Sequence, residues 1–309
     1  MIRALEPDKV PMTADVSGPF VCSESVIPGH DATEIFVRHY LPNGGSDPRT
    51  LFIVHGMSEH GERYDHVAQV AAARGWNVLI SDLRGHGRSG GVPTHVSDFG
   101  QYVDDLTSVS RHFDLKPHST AILGHSMGGL VTARWLQRDP QAAAAAVLTS
   151  PLLGMSVPIS RFTIALGKAA SLVYPQTRFK SRVDQSFTTR NAEVLQRRAV
   201  DPYNRRSVTA GWYFAMEAAL KSAWSEATRI LCPLLLMQAG NDRIVDPNAA
   251  RPWFDSIASV DKSYYLFPEH YHELLNEPDW RQTAGSMMDW LDLRVGPQAH
   301  PRNIATQTA

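Results

Sequence analysis

Gly124-His125-Ser126-Met127-Gly128 lies between an apolar run, Thr120-Ala-Ile-Leu123, and a stretch from Leu130 to Gln137 that reads as helix. A G-x-S-x-G pattern is short and arises by chance, but a strand before it and a helix after it give it mechanical meaning. The turn must be tight, so glycines on either side let the strand and helix approach where a Cβ would clash. The serine is then held in a strained conformation, its hydroxyl exposed at the carboxyl end of a sheet and close to the amides that open the helix. The competing reading is a plain strand–helix turn built from small residues. The flanking elements and the additional Gly129 favour a nucleophile.

Working outward, strands and helices alternate for most of the chain. Residues 33–41 alternate apolar and polar, 51–54 form a short buried run, and 76–81 form another. Residues 145–149 are also strand-like, and helices are expected at 64–74 and 98–113. From about 152 to 228 the patterning is only helical, with turn signals at Pro158, Pro175 and Asp201-Pro202. Strand character returns at 233–238 and 262–267, each followed by a helix, the last over about 278–292. Such alternation predicts an α/β fold with a mostly parallel central sheet and helices on both faces. The expected core is residues 19–151 and 229–294. A helical cap, 152–228, is inserted after the sixth core strand, and 1–18 and 295–309 are expected to be loose tails.

A serine hydroxyl needs an adjacent base, itself oriented by a third group. After such an elbow the partners follow in the order acid, then histidine. Asp242 follows the strand 233–238, and His272 follows the strand 262–267, so both fall in loops at the sheet edge that carries Ser126. Asp246 is an alternative acid, although Pro247 after it suggests a helix start. His270 competes with His272, which is favoured because Leu274-Leu275 beside it would seat the loop. An oxyanion would be held by two backbone amides, that of Met127 after the nucleophile and that of Met57 in the loop beginning His55-Gly56.

The composition narrows the classes. With 309 residues, 43% of them hydrophobic, the chain can bury a large core. A formal net charge of -1 offers no basic excess for phosphate backbones, so nucleic acid is not an expected partner. Cys22 and Cys232, the two cysteines, are read as buried inert thiols, and neither metal-ligand spacing nor a dinucleotide glycine fingerprint is present. No cofactor or metal is expected. No signal-peptide or membrane-span window occurs, so a cytoplasmic location without a transmembrane segment is the expectation.

Five blocks carry a resemblance: His55-Gly-Met-Ser-Glu-His-Gly-Glu-Arg-Tyr64, Asp82-Leu-Arg-Gly-His-Gly-Arg-Ser89, Gly124-His-Ser-Met-Gly-Gly129, Gly240-Asn-Asp-Arg-Ile-Val-Asp246 and His272-Glu-Leu-Leu-Asn-Glu277. Together they resemble the monoacylglycerol lipase and lysophospholipase group of α/β-hydrolases. The resemblance spans about residues 50 to 290. It implies Ser126, Asp242 and His272 as catalytic triad and Met57 and Met127 as oxyanion donors, and it favours His272 over His270. By the same resemblance the 82–89 block is a structural turn, Glu59, His60, Arg63 and Tyr64 brace the oxyanion loop, and Asp201-Pro202 is a cap feature.

The expected activity is hydrolysis of single-chain acyl lipids, monoacylglycerol or lysophospholipid, through an acyl-enzyme. The alternative is a general esterase or acyltransferase with the same triad; a binding module without catalysis fits poorly with a complete set of residues. Elbow-aspartate enzymes such as dehalogenases are disfavoured by Ser126. In the cap, Phe162, Leu166, Ala169 and Val173 share one helical face, and Trp212, Tyr213, Phe214 and Met216 form a second apolar cluster. Phe162, Leu166, Trp212 and Phe214 are the expected substrate contacts; transient contact of the cap with a membrane surface is compatible with this reading, although no basic amphipathic face supports it.

Overall fold

In the computed structural model, residues 20–43, 49–156, 159–181 and 183–296 are described. They begin with β1 (Phe20–Pro28) and β2 (Glu34–Pro42), an antiparallel pair, followed by β3 (Thr50–Val54). Then come α1 (Asp65–Ala73), β4 (Asn77–Ser81), α2 (Gly100–His112), β5 (Thr120–His125), α3 (Met127–Arg138) and β6 (Ala145–Thr149). After β6 the chain leaves the sheet through α4 (Arg161–Val173), β7 (Arg178–Lys180), α5 (Ala192–Val200), β8 (Ser207–Thr209) and α6 (Ala210–Ser225). It returns as β9 (Leu234–Ala239), α7 (Pro247–Ser256), β10 (Lys262–Phe267) and α8 (Trp280–Asp292).

The main sheet has the order β1-β2-β4-β3-β5-β6-β9-β10, antiparallel through β1, β2 and β4 and parallel from β4 onward. Its central strands are buried on both faces, as their unbroken apolar runs require. Phe52, Val54 and Ile122 pack with Leu106 and Leu130 of α2 and α3 on one face. Leu51, Ile53 and Leu123 pack with Val67 and Met287 of α1 and α8 on the other. The strands that precede the candidate nucleophile, acid and histidine are β5, β9 and β10, all parallel, so the three following loops leave the same edge.

Three details correct the sequence reading. First, β1 is an additional strand, half-buried at the sheet edge, whose mixed pattern hides its period; with it, β6 is the sixth strand. Second, the segment after β6 is not only helical, because β7 and β8 pair antiparallel. Three residues each are too few for a two-residue period to show. Third, Val295 is buried in the core, so the expected tail does not begin there. The other residues of the two expected tails, apart from Gly296, lie outside the described residues, as does Pro158.

Cys232 is buried but Cys22 only half-buried, and neither forms a disulfide. No helix among the described residues is long and apolar enough to cross a membrane.

The end of α6 joins the excursion to the core. Met216, Ala219 and Ala223 belong to the same apolar cluster as Leu130 and Leu236. The Ala223 carbonyl accepts hydrogen bonds from Gln137 Nε2 (2.8 Å) and Trp253 Nε1 (3.0 Å).

Candidate active site

The turn after β5 shows why the glycines are needed. A Cβ on Gly124 would lie 2.6 Å from the Gly128 carbonyl oxygen, and one on Gly128 would collide with the Val54 carbonyl. Ser126, between them, has φ 53 and ψ -117, a left-handed conformation that costs roughly 1–3 kcal/mol in a residue with a side chain. Its backbone is over-determined: Ser126 N donates to Thr149 O (3.0 Å), while its carbonyl accepts from Gly129 N (2.9 Å) and Leu152 N (2.9 Å). The strain is thus held by the next strand and by the helix that the serine opens.

Asp242 and His272 are both buried, and His272 Nδ1 lies 2.7 Å from Asp242 Oδ2. The other carboxylate oxygen accepts from Ile244 N (2.9 Å) and Val245 N (3.0 Å), which fixes the plane of the carboxylate. Burial disfavours a charged His272, but the Asp242 carboxylate outweighs it and the imidazole pKa is raised. With Nδ1 committed to Asp242, Nε2 remains for a proton in transit. The alternatives separate. Asp246 caps α7 by accepting from Asn248 N (3.0 Å), and His270 Nε2 lies 2.9 Å from Asp279.

The loop after β3 is built to fix its amides. Gly56 N donates to Glu59 Oε1 (2.5 Å), which also accepts from Tyr64 Oη (2.8 Å), and Ser58 turns the chain with φ 63. With the Gly56 amide satisfied, the next amide along is that of Met57, whose residue lines the cavity beside Ser126. Met127 begins α3, so its amide belongs to the unpaired first turn of the helix.

Behind the loop, His55 Nε2 accepts from Leu83 N (2.9 Å) and Asp82 accepts from Gly61 N (2.6 Å) and Arg88 N (2.7 Å). The 82–89 block therefore braces this loop from below. His60 Nε2 reaches Asp201 Oδ2 (2.9 Å), joining the loop to the segment after α5.

Glu59 and Arg63, expected to brace this loop, belong to a buried charge network whose other members, Glu273 and Arg198, sequence reasoning missed. Arg63 lies between Glu59 (3.1 Å) and Glu273 (2.6 Å), and Arg198 of α5 also pairs with Glu273. Burial opposes ionisation of both acids. His125 and Arg63 nevertheless hold the Glu59 carboxyl below its usual range, as Arg63 and Arg198 hold that of Glu273. Glu273 and Arg198 lie far apart in sequence and so give no pattern that marks them as partners.

Ser126 and His272 open into one cavity of about 450 Å3. Its apolar wall includes Leu152, Met155, Ile164, Val208, Phe214 and Ile244. Of the expected substrate contacts, Trp212 and Phe214 line it and Phe162 and Leu166 do not. They are 78% and 52% exposed, on the outer face of α4. The physical reason is that α4 packs through its Thr163, Ile164 and Gly167 face, with buried Gly167 beside the Phe214 ring, which leaves the larger stripe outward. No cluster of three or more His, Cys, Asp or Glu able to hold a metal occurs among the described residues.

Residues 46–279 match the model of the family described as serine aminopeptidase, S33. Phospholipase YtpA of Bacillus subtilis is 32% identical over 235 residues, which cover 74% of this chain and 89% of that protein. A monoacylglycerol lipase of Mycolicibacterium smegmatis is 31% identical over 274 residues, covering 87% and 96%. A solved monoacylglycerol lipase from Paleococcus ferrophilus superposes with TM-score 0.77 at 26% identity, covering 84% of this chain and 98% of its own.

Proposed function

The chain belongs to the serine aminopeptidase S33 family of α/β-hydrolases and is a serine hydrolase, and on that premise we propose that it cleaves single-chain acyl esters such as monoacylglycerol or lysophospholipid. The observation that carries this reading is His272, whose Nδ1 lies 2.7 Å from Asp242 and which opens with Ser126 into one cavity walled mainly by apolar side chains. A volume of about 450 Å3 falls within the roughly 300–1,000 Å3 of small-ligand sites.

In this reading Ser126 Oγ attacks the ester carbonyl while its proton passes to His272 Nε2. Asp242 stabilises the imidazolium and fixes its tautomer. The Met57 and Met127 amides hold the oxyanion, a task in which losing one donor costs ~10²–10³ in turnover. Collapse expels the alcohol, which takes its proton from His272. Water then repeats the sequence on the acyl-Ser126 ester and releases the fatty acid. The segment 152–228 serves as a cap that adds apolar wall for the acyl chain. The exposed stripe of α4, with Phe162, Leu166, Val173 and the neighbouring Leu172 and Tyr174, is suited to touch a lipid surface while substrate is drawn in.

Nitrophenyl esters of rising chain length, tested beside a monoacylglycerol and a lysophosphatidylcholine, examine the proposal. The expected result is free fatty acid and kcat/KM increasing with chain length beyond acetate. A strict preference for acetate, or no turnover of any acyl ester, contradicts it.

A further inference from the structure

The charged groups lining the cavity do not cancel. Glu59 and Glu273 are balanced by Arg63 and Arg198. Three more cations line the same space: Lys180 at the end of β7, and Arg205 and Arg206 just before β8. Among the described residues none of the three has an ion-pair or side-chain hydrogen-bond partner, and Arg205 Nε is buried without an acceptor. The remaining acid of the wall, Asp184, caps the turn Gln185–Phe187 by accepting from Ser186 N (3.0 Å) and Ser186 Oγ (2.8 Å).

Backbone pairing brings the three residues together, Arg205 half-buried and Lys180 and Arg206 exposed. Lys180 pairs in register with Ser207, and Ser181 N donates to Arg206 O (2.9 Å), so the three cations sit at adjoining ends of two short strands. Asn204 beside them is tied to the Gln185 side chain (3.2 Å). The same turn is anchored to the histidine loop, where Glu273 N donates to Thr188 O (2.8 Å). The cationic wall is therefore continuous with the loop that carries His272. A buried guanidinium donor without an acceptor is unfavourable, and planar guanidinium forks match phosphate oxygens bidentately.

We propose that Lys180, Arg205 and Arg206 form a subsite for the phosphate of an anionic headgroup, so that phosphate-bearing acyl esters are preferred over neutral ones of equal chain length. The proposal rests on the ester-hydrolase reading above and narrows its substrate class.

The test uses octanoylglycerol, octanoylglycerol 3-phosphate and octanoylglycerophosphocholine as dissolved monomers. Charge-assisted hydrogen bonds of this kind correspond to about tenfold or more in kcat/KM, which is the expected advantage of the phosphate ester over octanoylglycerol. The variant K180Q/R205Q/R206Q should lose most of that advantage while keeping the wild-type melting temperature. Independently of any variant, rising salt should shrink the wild-type advantage. Comparison of the two phosphate substrates tells a monoester from a choline diester as the source of the phosphate. An equal rate on neutral and phosphate esters, unmoved by salt or by the substitutions, overturns the subsite alone. So does a preference that appears only on anionic vesicles, because the cations would then be reading a membrane surface. Hydrolysis of none of the three would instead remove the ester-hydrolase reading itself.

Discussion

Arg63 Nη2 and Glu273 Oε2 lie 2.6 Å apart in the interior although 210 positions separate them in sequence. Arg63 belongs to the turn after the loop at 56–58 and Glu273 immediately follows His272, so one ion pair joins the two loops. Arg198 extends it to α5. Removing one member leaves buried charge uncompensated, which typically costs ~3–5 kcal/mol. Glu273→Ala should therefore lower the urea midpoint by a corresponding amount and reduce turnover, because the histidine loop loses its anchor. A stability change below about 1 kcal/mol would show that water, rather than packing, satisfies the two arginines.

Phe214 of α6 and the outward stripe of α4 stand in different surroundings, and substitutions should separate their contributions. Phe214 lines the cavity and packs on Gly167, whereas Phe162 faces solvent. Each methylene removed from water is worth ~0.8 kcal/mol, so losing contact with a few shifts chain-length preference by one or two orders of magnitude. Phe214→Ser should lower the ratio of kcat/KM for long-chain over acetate esters by at least about tenfold, a shift of ~1.4 kcal/mol. Phe162→Ser should leave that ratio unchanged for dissolved esters. The reverse pattern would place the acyl chain on the outer face.

The sheet and the candidate nucleophile, acid and histidine were legible because each depends on local pattern. Apolar runs such as Leu234–Ala239 mark buried strands, and the spacing of Gly124 and Gly128 around Ser126 follows from contacts that no Cβ would fit. The helix-start role of Asp246 was readable from Pro247. What was not legible depends on orientation. The stripe Phe162–Leu166–Val173 was correctly read as one face, but its periodicity says nothing about which side meets the cavity. The packing of α4 on α6, where Gly167 lies beside Phe214, decides that, a relation between two helices. Likewise Lys180, Arg205 and Arg206 come together through the β7–β8 pairing, whose strands are too short to read.

The pH dependence should report one group. As the proposed base, His272 would have to be neutral to accept the serine proton, and Asp242 raises its pKa above the ordinary 6.5 despite burial. Activity should therefore rise with pH with its midpoint above 6.5. The neighbouring His55 and His125, pushed down to about 4, and His86, pushed down to about 3, are held there by burial and stay neutral throughout this range. Asp242→Asn should lower the midpoint as well as turnover, since it removes the cause of the shift. A flat profile of kcat/KM between about pH 6 and 9 would contradict the assignment of the base.

The central claim is that Ser126, held at φ 53 in the turn between β5 and α3, is the nucleophile. The most direct measurement is labelling with a fluorophosphonate probe followed by mass spectrometry of the labelled peptide. The prediction is one adduct per chain on the peptide containing Ser126, and none in a Ser126→Ala variant that keeps the wild-type melting temperature. Undiminished labelling of that variant, or an adduct on a different residue of the wild type, would contradict the account.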